Sequence, residues 1–316
     1  MSNRTSCFSL ENYNISCCLA EAIEMKYKTH LSAIIVSSIV FIVLSPVAIV
    51  ANSLILVAIW KGRSERTWFH IILGGLAFCD FCTGLLVQAF LGIGLLLFFV
   101  NPGASSDKKD LAMAIIGIGF LSASFFGAAV LLLVTLLSIE RWMHMRRRLL
   151  MTHCHRNVIV AVIVIVPVSI TVSNAVQFRV LESTNKVSFA FIGVFMLLCY
   201  LITFFAYFKI YRIIRQHQQQ IRENQSQGFE QSTINLAKYK RSVKSVLYIF
   251  TFFSLTFLPV FAVVAFMLSR EDISCLEASA AYYIAQIINF LSSSLNPALY
   301  VWRMNDIWNQ LKNLFR

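Results

Sequence analysis

Seven apolar stretches, at residues 31–60, 68–99, 111–142, 157–178, 187–214, 240–269 and 279–302, take up most of this 316-residue chain. Each reaches the roughly 20 residues that an α-helix needs to cross the hydrocarbon core of a bilayer. The composition agrees. Hydrophobic residues make up 58% and charged residues 13%, against about 45–50% and about 25% in soluble domains. The expected fold is therefore all-α, a seven-transmembrane helix bundle, and its second and third spans are long enough to protrude or tilt. Residues 1–30 form a polar tail, 31–302 the bundle, and 303–316 a closing segment. The tail holds no apolar run of the kind a cleaved signal needs, so the first span is expected to direct its own insertion.

Charge sets the expected orientation. With the N-terminus outside, 19 of the 27 Lys/Arg fall in the inner loops and tail, from Lys61, Arg63 and Arg66 to Arg303, Lys312 and Arg316. Basic residues are retained on the cytoplasmic side, so a multi-pass plasma-membrane protein with an extracellular N-terminus is expected. The net charge of +12 then serves topology and contact with anionic membrane lipid. Charge confined to membrane loops points to no nucleic acid. Two glycosylation sequons, at Asn3 and Asn14, sit in the outer tail. Of eight cysteines, Cys7, Cys17, Cys18 and Cys275 are placed outside, where disulfides persist. A bridge from Cys275 to Cys17 or Cys18 is expected, with the choice between them open.

The polar insert at 215–237 separates spans five and six, its Gln-rich start reading as an extension of span five. After Tyr300, the residues Ile307, Trp308, Leu311, Leu314 and Phe315 recur at helical spacing beside Arg303, Lys312 and Arg316. This pattern predicts a short amphipathic helix on the inner leaflet. Pro46, Pro167, Pro259 and Pro297 fall inside spans, where each removes a backbone hydrogen bond and bends its helix.

Polar residues inside these spans carry the functional signal. Asp80 is the only acid deep in any span. A carboxylate at that depth is costly and usually faces a wet interior with a task there. Asn52 in span one and Asn296 in span seven are its natural partners. Asn296-Pro297-Ala298-Leu299-Tyr300 places a helix breaker in membrane core, which neighbouring helices must satisfy. Glu140-Arg141-Trp142 closes the third span. Its adjacent charges can pair and hold the guanidinium sideways, and release leaves a multi-donor group aimed into the inner cavity. Span six holds Phe253-Ser254-Leu255-Thr256-Phe257-Leu258-Pro259, and Tyr207 stands in span five.

These marks, in this order and at these depths, resemble the rhodopsin-like (class A) G-protein-coupled receptors. Leu76-Ala77-Phe78-Cys79-Asp80 is similar to that family's Leu-Ala-x-x-Asp, and Asn52 to its first-helix asparagine. Glu140-Arg141-Trp142 is similar to Asp/Glu-Arg-Tyr, with Trp142 in place of tyrosine. Phe253 and Pro259 match Phe-x-x-Cys-Trp-x-Pro, while Thr256 and Phe257 replace its Cys and Trp. The resemblance implies a receptor that catalyses nothing, needs no cofactor, binds an extracellular ligand and activates a heterotrimeric G protein. Arg141, Tyr207 and Tyr300 would meet that protein once helix six swings about Pro259.

Departures from the pattern matter too. Ile116 stands where most members have a helix-three cysteine, and the loop at 177–188 has no cysteine to bridge to. Span five has Cys199 in place of its proline. These losses resemble the melanocortin, lysophospholipid, cannabinoid and adenosine receptor group. Val130 replaces a hydroxyl of the family's sodium site, so no metal is expected at Asp80. Tyr239 stands near the place of an acid that pairs with the arginine in some members, so raised ligand-free signalling is expected.

The resemblance places the ligand among Gln88, Ala123, Ser124, Gly127, Phe191, Phe195, Val260, Phe261, Val264, Tyr282, Gln286 and Asn289. Taken singly, each could equally be helix packing. Ala123 stands at the amine-binding position, so a monoamine has no charged partner. Span seven has no lysine, and a retinal aldehyde needs an amine. A neutral, apolar small molecule or lipid fits better than a peptide. Two other classes stay in view. A transporter or channel commonly carries internal repeats, and none is visible. A receptor-fold scaffold would signal little. His153-Cys154-His155 is too sparse a ligand set for a zinc enzyme.

Overall fold

The computed structural model describes residues 28–61, 68–100, 105–145, 153–180, 185–223, 247–248, 251–252, 254–263, 265–266, 269, 275–303 and 305–314. All the elements among them are helical. In chain order they are α1 (Lys28–Lys61), α2 (Trp68–Val100), α3 (Ser106–Met145), α4 (His153–Val180), α5 (Asn185–Glu223), α6 (Ser254–Val263), α7 (Cys275–Arg303) and α8 (Asn305–Leu314). By length and hydropathy α1, α2, α3 and the Gly193–Gln216 part of α5 can each cross a membrane. The second and third spans are long, as expected. Asn3, Asn14, Cys17, Cys18, Tyr239, Phe253 and Val264 lie outside the described residues, as do the side chains of Phe191 and Cys275.

Apolar side chains point outward as well as inward. Val160, Ile165 and Val172 of α4 and Phe204, Phe205 and Phe208 of α5 are exposed. In water such a surface would aggregate, whereas in lipid it costs nothing. The interior is filled by two apolar clusters. One gathers Ile55, Leu73, Leu76, Leu137, Tyr300 and Ile307 at the Arg141 end of the bundle. The other gathers Ile34, Phe41, Leu95, Leu276 and Phe290 toward the opposite end. Phe41 of α1 and Phe290 of α7 meet edge to face at 4.9 Å.

Small residues set how closely the helices approach. A Cβ on Gly92 of α2 would lie 2.7 Å from Ile42 Cγ1 and 2.9 Å from the Ser38 carbonyl oxygen. At Gly84 the same atom would lie 3.0 Å from Ala48 Cβ. Around Gly84 the second helix leaves α geometry. Residues Thr83–Gln88 form a π-helical turn, with Ala89 N–H bonding to the Gly84 carbonyl. That carbonyl also accepts the Ser45 hydroxyl of α1 at 2.9 Å. One extra residue in a turn rotates the remainder of the helix by about 100°, and single π turns are frequent at functional sites.

The closing helix differs from the leaflet-facing expectation in one respect. Ile307 and Leu311 of α8 are buried in the core cluster beneath α1 and α7. Four residues apart on a helix, they share one face, and the bundle rather than lipid covers it. Trp308 is 44% exposed, with Lys312 Nζ 4.9 Å from its ring.

Candidate functional site

The break in α7 is repaired from α1. Pro297 has no N–H, so the carbonyl four residues back, that of Ser293, loses its helical donor. Asn52 Nδ2 donates to that oxygen at 2.9 Å, and to its own Ala48 carbonyl at 2.9 Å. Asn52 is fully buried. The expected pairing of Asn52 with Asp80 is thereby corrected, since its amide serves the freed carbonyl. Asp80 is held by α7. Asn296 Nδ2 donates to Asp80 Oδ2 at 2.7 Å, with the Ser293 side chain close to this carboxylate. The short distance is that of a charge-assisted bond. Three helices thus meet at one polar junction beside Pro297. Val130, in the apolar cluster next to it, is buried and offers no oxygen.

Toward one end, α3 presents the arginine. Arg141 Nε lies 3.3 Å from Glu140 Oε2, and the side chains are 13% and 11% exposed. Neither atom is aligned for a hydrogen bond, so the contact is one of charge alone. The guanidinium carbon sits 3.8 Å from the centre of the Phe69 ring of α2. The Tyr207 phenol of α5 lies beside Ser138 and Arg141. Trp142 meets Phe205 edge to face at 6.0 Å. Tyr300 is fully buried in the apolar cluster that also holds Leu76 and Leu137, and Phe257 packs against the same cluster. Neither motif nor spacing pointed to Phe69. The only available signal was an aromatic in the first turn of a span.

Toward the other end, the polar residues are largely spoken for. Gln88 is fully buried at the end of the π turn, and its Nε2 donates to the Phe290 carbonyl at 3.3 Å. Gln286 Nε2 donates to Tyr282 Oη at 2.8 Å, and Asn289 Nδ2 donates to Gln286 Oε1 at 3.1 Å. Ser124 engages α4, accepting from Asn174 Nδ2 at 3.0 Å while donating to the Phe120 carbonyl at 3.1 Å. Ala123 packs against the apolar cluster of this end. Gly127 opens on space, since a Cβ there meets nothing within 4 Å. Phe195, Val260 and Phe261 are half-buried. The crevice of about 330 Å³ between Leu86, Leu121, Ser122, Phe125, Phe126, Val168, Thr171 and Val172 lies elsewhere. It opens widely between α2, α3 and α4, and shares no residue with the expected ligand set.

A family described as 7 transmembrane receptor (rhodopsin family) matches residues 51–300. The crystal structure of squid rhodopsin is similar over 90% of this chain and 86% of that chain, with a TM-score of 0.71 at 15% sequence identity. At that identity the likeness is one of fold. No curated protein sequence matches the chain.

Proposed function

This chain belongs to the rhodopsin family of seven-transmembrane receptors, and on that premise we propose which of its groups carry the signal and what kind of ligand starts it. The protein is a G-protein-coupled receptor. It spans the membrane several times, with the basic loops in the cytoplasm and the N-terminus outside. A ligand that binds one bundle shape better than another shifts the balance between them. Arg141, Tyr207 and Tyr300 face the G protein when the balance shifts, and Phe257 and Pro259 of α6 carry the movement.

The observation that supports this most is the junction at Pro297. A buried acid and two buried amides from three helices converge on a broken turn. Nothing in packing alone requires a carboxylate there, and an apolar core of the same volume would cost less. A group of this kind is retained when a change in its surroundings is useful.

The ligand is a neutral, mainly apolar small molecule or lipid. It enters the end of the bundle that holds Gly127, Phe261 and Tyr282. Gln286, Asn289 and Tyr282 already bond one another, and no acid lies among them to pair with an amine. Membrane lipid contacts α8 through Trp308 and Lys312. The test is a screen of lipid, purine and peptide libraries against the expressed receptor, reading nucleotide exchange on a panel of G-protein α subunits. Agonists are expected from the lipid set, with Arg141→Ala silent to all of them. An agonist that still drives exchange through Arg141→Ala would remove Arg141 from this role.

A further inference from the structure

We infer that the ring of Phe69, in the first turn of α2, is a positioning residue that holds the Arg141 guanidinium in its resting place. The inference rests on the reading of Arg141 as the group offered to a G protein. Its ground is geometric. The guanidinium carbon lies 3.8 Å from the ring centre, and a cation over a ring face is drawn to its negative quadrupole, more strongly as water is excluded. Water is largely excluded here, since the arginine side chain is 13% exposed.

The neighbouring carboxylate cannot do this work alone. Glu140 is the preceding residue on the same helix, and successive helical side chains do not face each other. The 3.3 Å contact between Nε and Oε2 offsets charge without a hydrogen bond to fix direction. Direction must come from another helix. Phe69 of α2 supplies a face, and the Tyr207 phenol of α5 lies beside Arg141 and Ser138. Phe69 is itself fixed, because it packs against the apolar cluster of Leu73, Leu76 and Leu137. Swinging the guanidinium toward a partner requires leaving the ring. The contact therefore adds to the stability of the resting shape and to nothing else. It is a restraint supplied by α2, where an acid on the sixth helix would act in the place of Tyr239.

The test keeps side-chain volume constant. Phenylalanine at 69 is replaced with its singly, doubly and triply fluorinated forms, which drain the ring face of negative potential while preserving the packing. Purified full-length receptor in lipid nanodiscs is read two ways without ligand: nucleotide exchange on the G-protein panel, and hydrogen-exchange protection over residues 138–145. Each fluorine is expected to raise exchange and lower protection in steps. Phe69→Leu, which has no face, is expected to raise exchange by about twofold to about thirtyfold, the span of such contacts carried through a two-state balance. Phe69→Trp, with a stronger face, is expected to raise it less than Phe69→Leu. Protection that does not change along the fluorine series overturns the inference, whatever exchange does. Protection that falls stepwise while no G protein responds sustains the Phe69 restraint and removes the G-protein reading instead.

Discussion

Exchanging the two members of the Asp80–Asn296 pair tests the junction most directly. The bond runs 2.7 Å from Asn296 Nδ2 to Asp80 Oδ2, and both residues are at most 2% exposed. A hydrogen bond to a charged group contributes about 1.5–3 kcal/mol, and a buried charge left without its partner costs about 3–5 kcal/mol. Asn296→Asp alone removes the donor and sets two carboxylates within hydrogen-bond distance. One of them must then take up a proton. Adding Asp80→Asn restores one amide donor and one carboxylate across the same gap. The coupling between the two substitutions is expected to be about 1.5–3 kcal/mol, well above the ~0.5 kcal/mol that independent sites show. Thermal unfolding of the detergent-purified receptor supplies the readout, because the buried thiols of Cys79, Cys82 and Cys199 become reactive as the helices part. Agonist-driven or basal exchange measured on the same four proteins should follow the same order. If the double variant loses as much stability as the two single substitutions do together, the pair carries no mutual energy and the junction argument fails.

Close approach at Gly92 makes a second prediction. Gly92→Ala should destabilise the receptor by about 1–3 kcal/mol through overpacking against Ile42 and the Ser38 carbonyl. Gly74→Ala, whose Cβ meets nothing, should gain up to about 1 kcal/mol of helix propensity, and denaturation midpoints compare the two. Beneath α1, Ile307→Ala should cost about 2–5 kcal/mol as a cavity in the core. Trp308→Ala, half exposed on the other face of α8, should change the midpoint little but weaken partition of an isolated α8 peptide into anionic vesicles. Between α3 and α5, Thr203→Val should cost at most about 0.5 kcal/mol, since the Thr203 and Thr135 hydroxyls meet at a long 3.3 Å and Thr135 keeps its bond to the Leu131 carbonyl. The same change in a Thr135→Val background should cost less.

Asp80, Asn296 and Pro297 were legible in the sequence because each breaks an apolar run. In lipid a polar interruption must be compensated, so type and depth alone pointed to the junction. The spans were legible for the same reason, being long and nearly free of charge. What Asn52 does was less legible. A sequence shows that an amide is present but not which of two acceptors a bent helix will offer, and the Ser293 carbonyl became available only through the geometry of Pro297. The π turn at Thr83–Gln88 left no trace in hydropathy, because one extra residue per turn alters direction without altering composition. Ser124 looked like a ligand contact by position, yet its hydroxyl turns to Asn174. Its rotation about the α3 axis depends on where α4 packs. Phe69 was invisible because an aromatic in a span is ordinary, and only its distance from a charge makes it unusual.

The inter-helical polar contacts are unevenly distributed, and this bears on which parts move. Among the described residues, α1, α2 and α7 are pinned to one another by Ser45 to Gly84, Asn52 to Ser293, Ser294 to Leu44, Gln88 to Phe290 and Asn296 to Asp80. The glycines at 84 and 92 bring α1 and α2 so close that sliding meets backbone. Such an interface has few alternative packings. Between α3 and α5 the hydroxyls of Thr135 and Thr203 meet at a long 3.3 Å. Each hydroxyl has its own helical carbonyl as a second acceptor, at 2.8 Å. Breaking that pair strands neither group, so a displacement of α5 along α3 costs little polar energy at this contact. Cys199 in place of a proline leaves the backbone ladder of α5 unbroken, so the helix would shift as one rod and carry Tyr207 with it. Since Tyr207 lies beside Arg141 and the Phe69 ring lies over its guanidinium, a movement of α5 away from α3 takes Tyr207 away while α2 still holds the Phe69 face in place. On the proposed reading of Arg141, its release takes two events, the departure of Tyr207 and the loss of the Phe69 face, and only the second involves the rigid block.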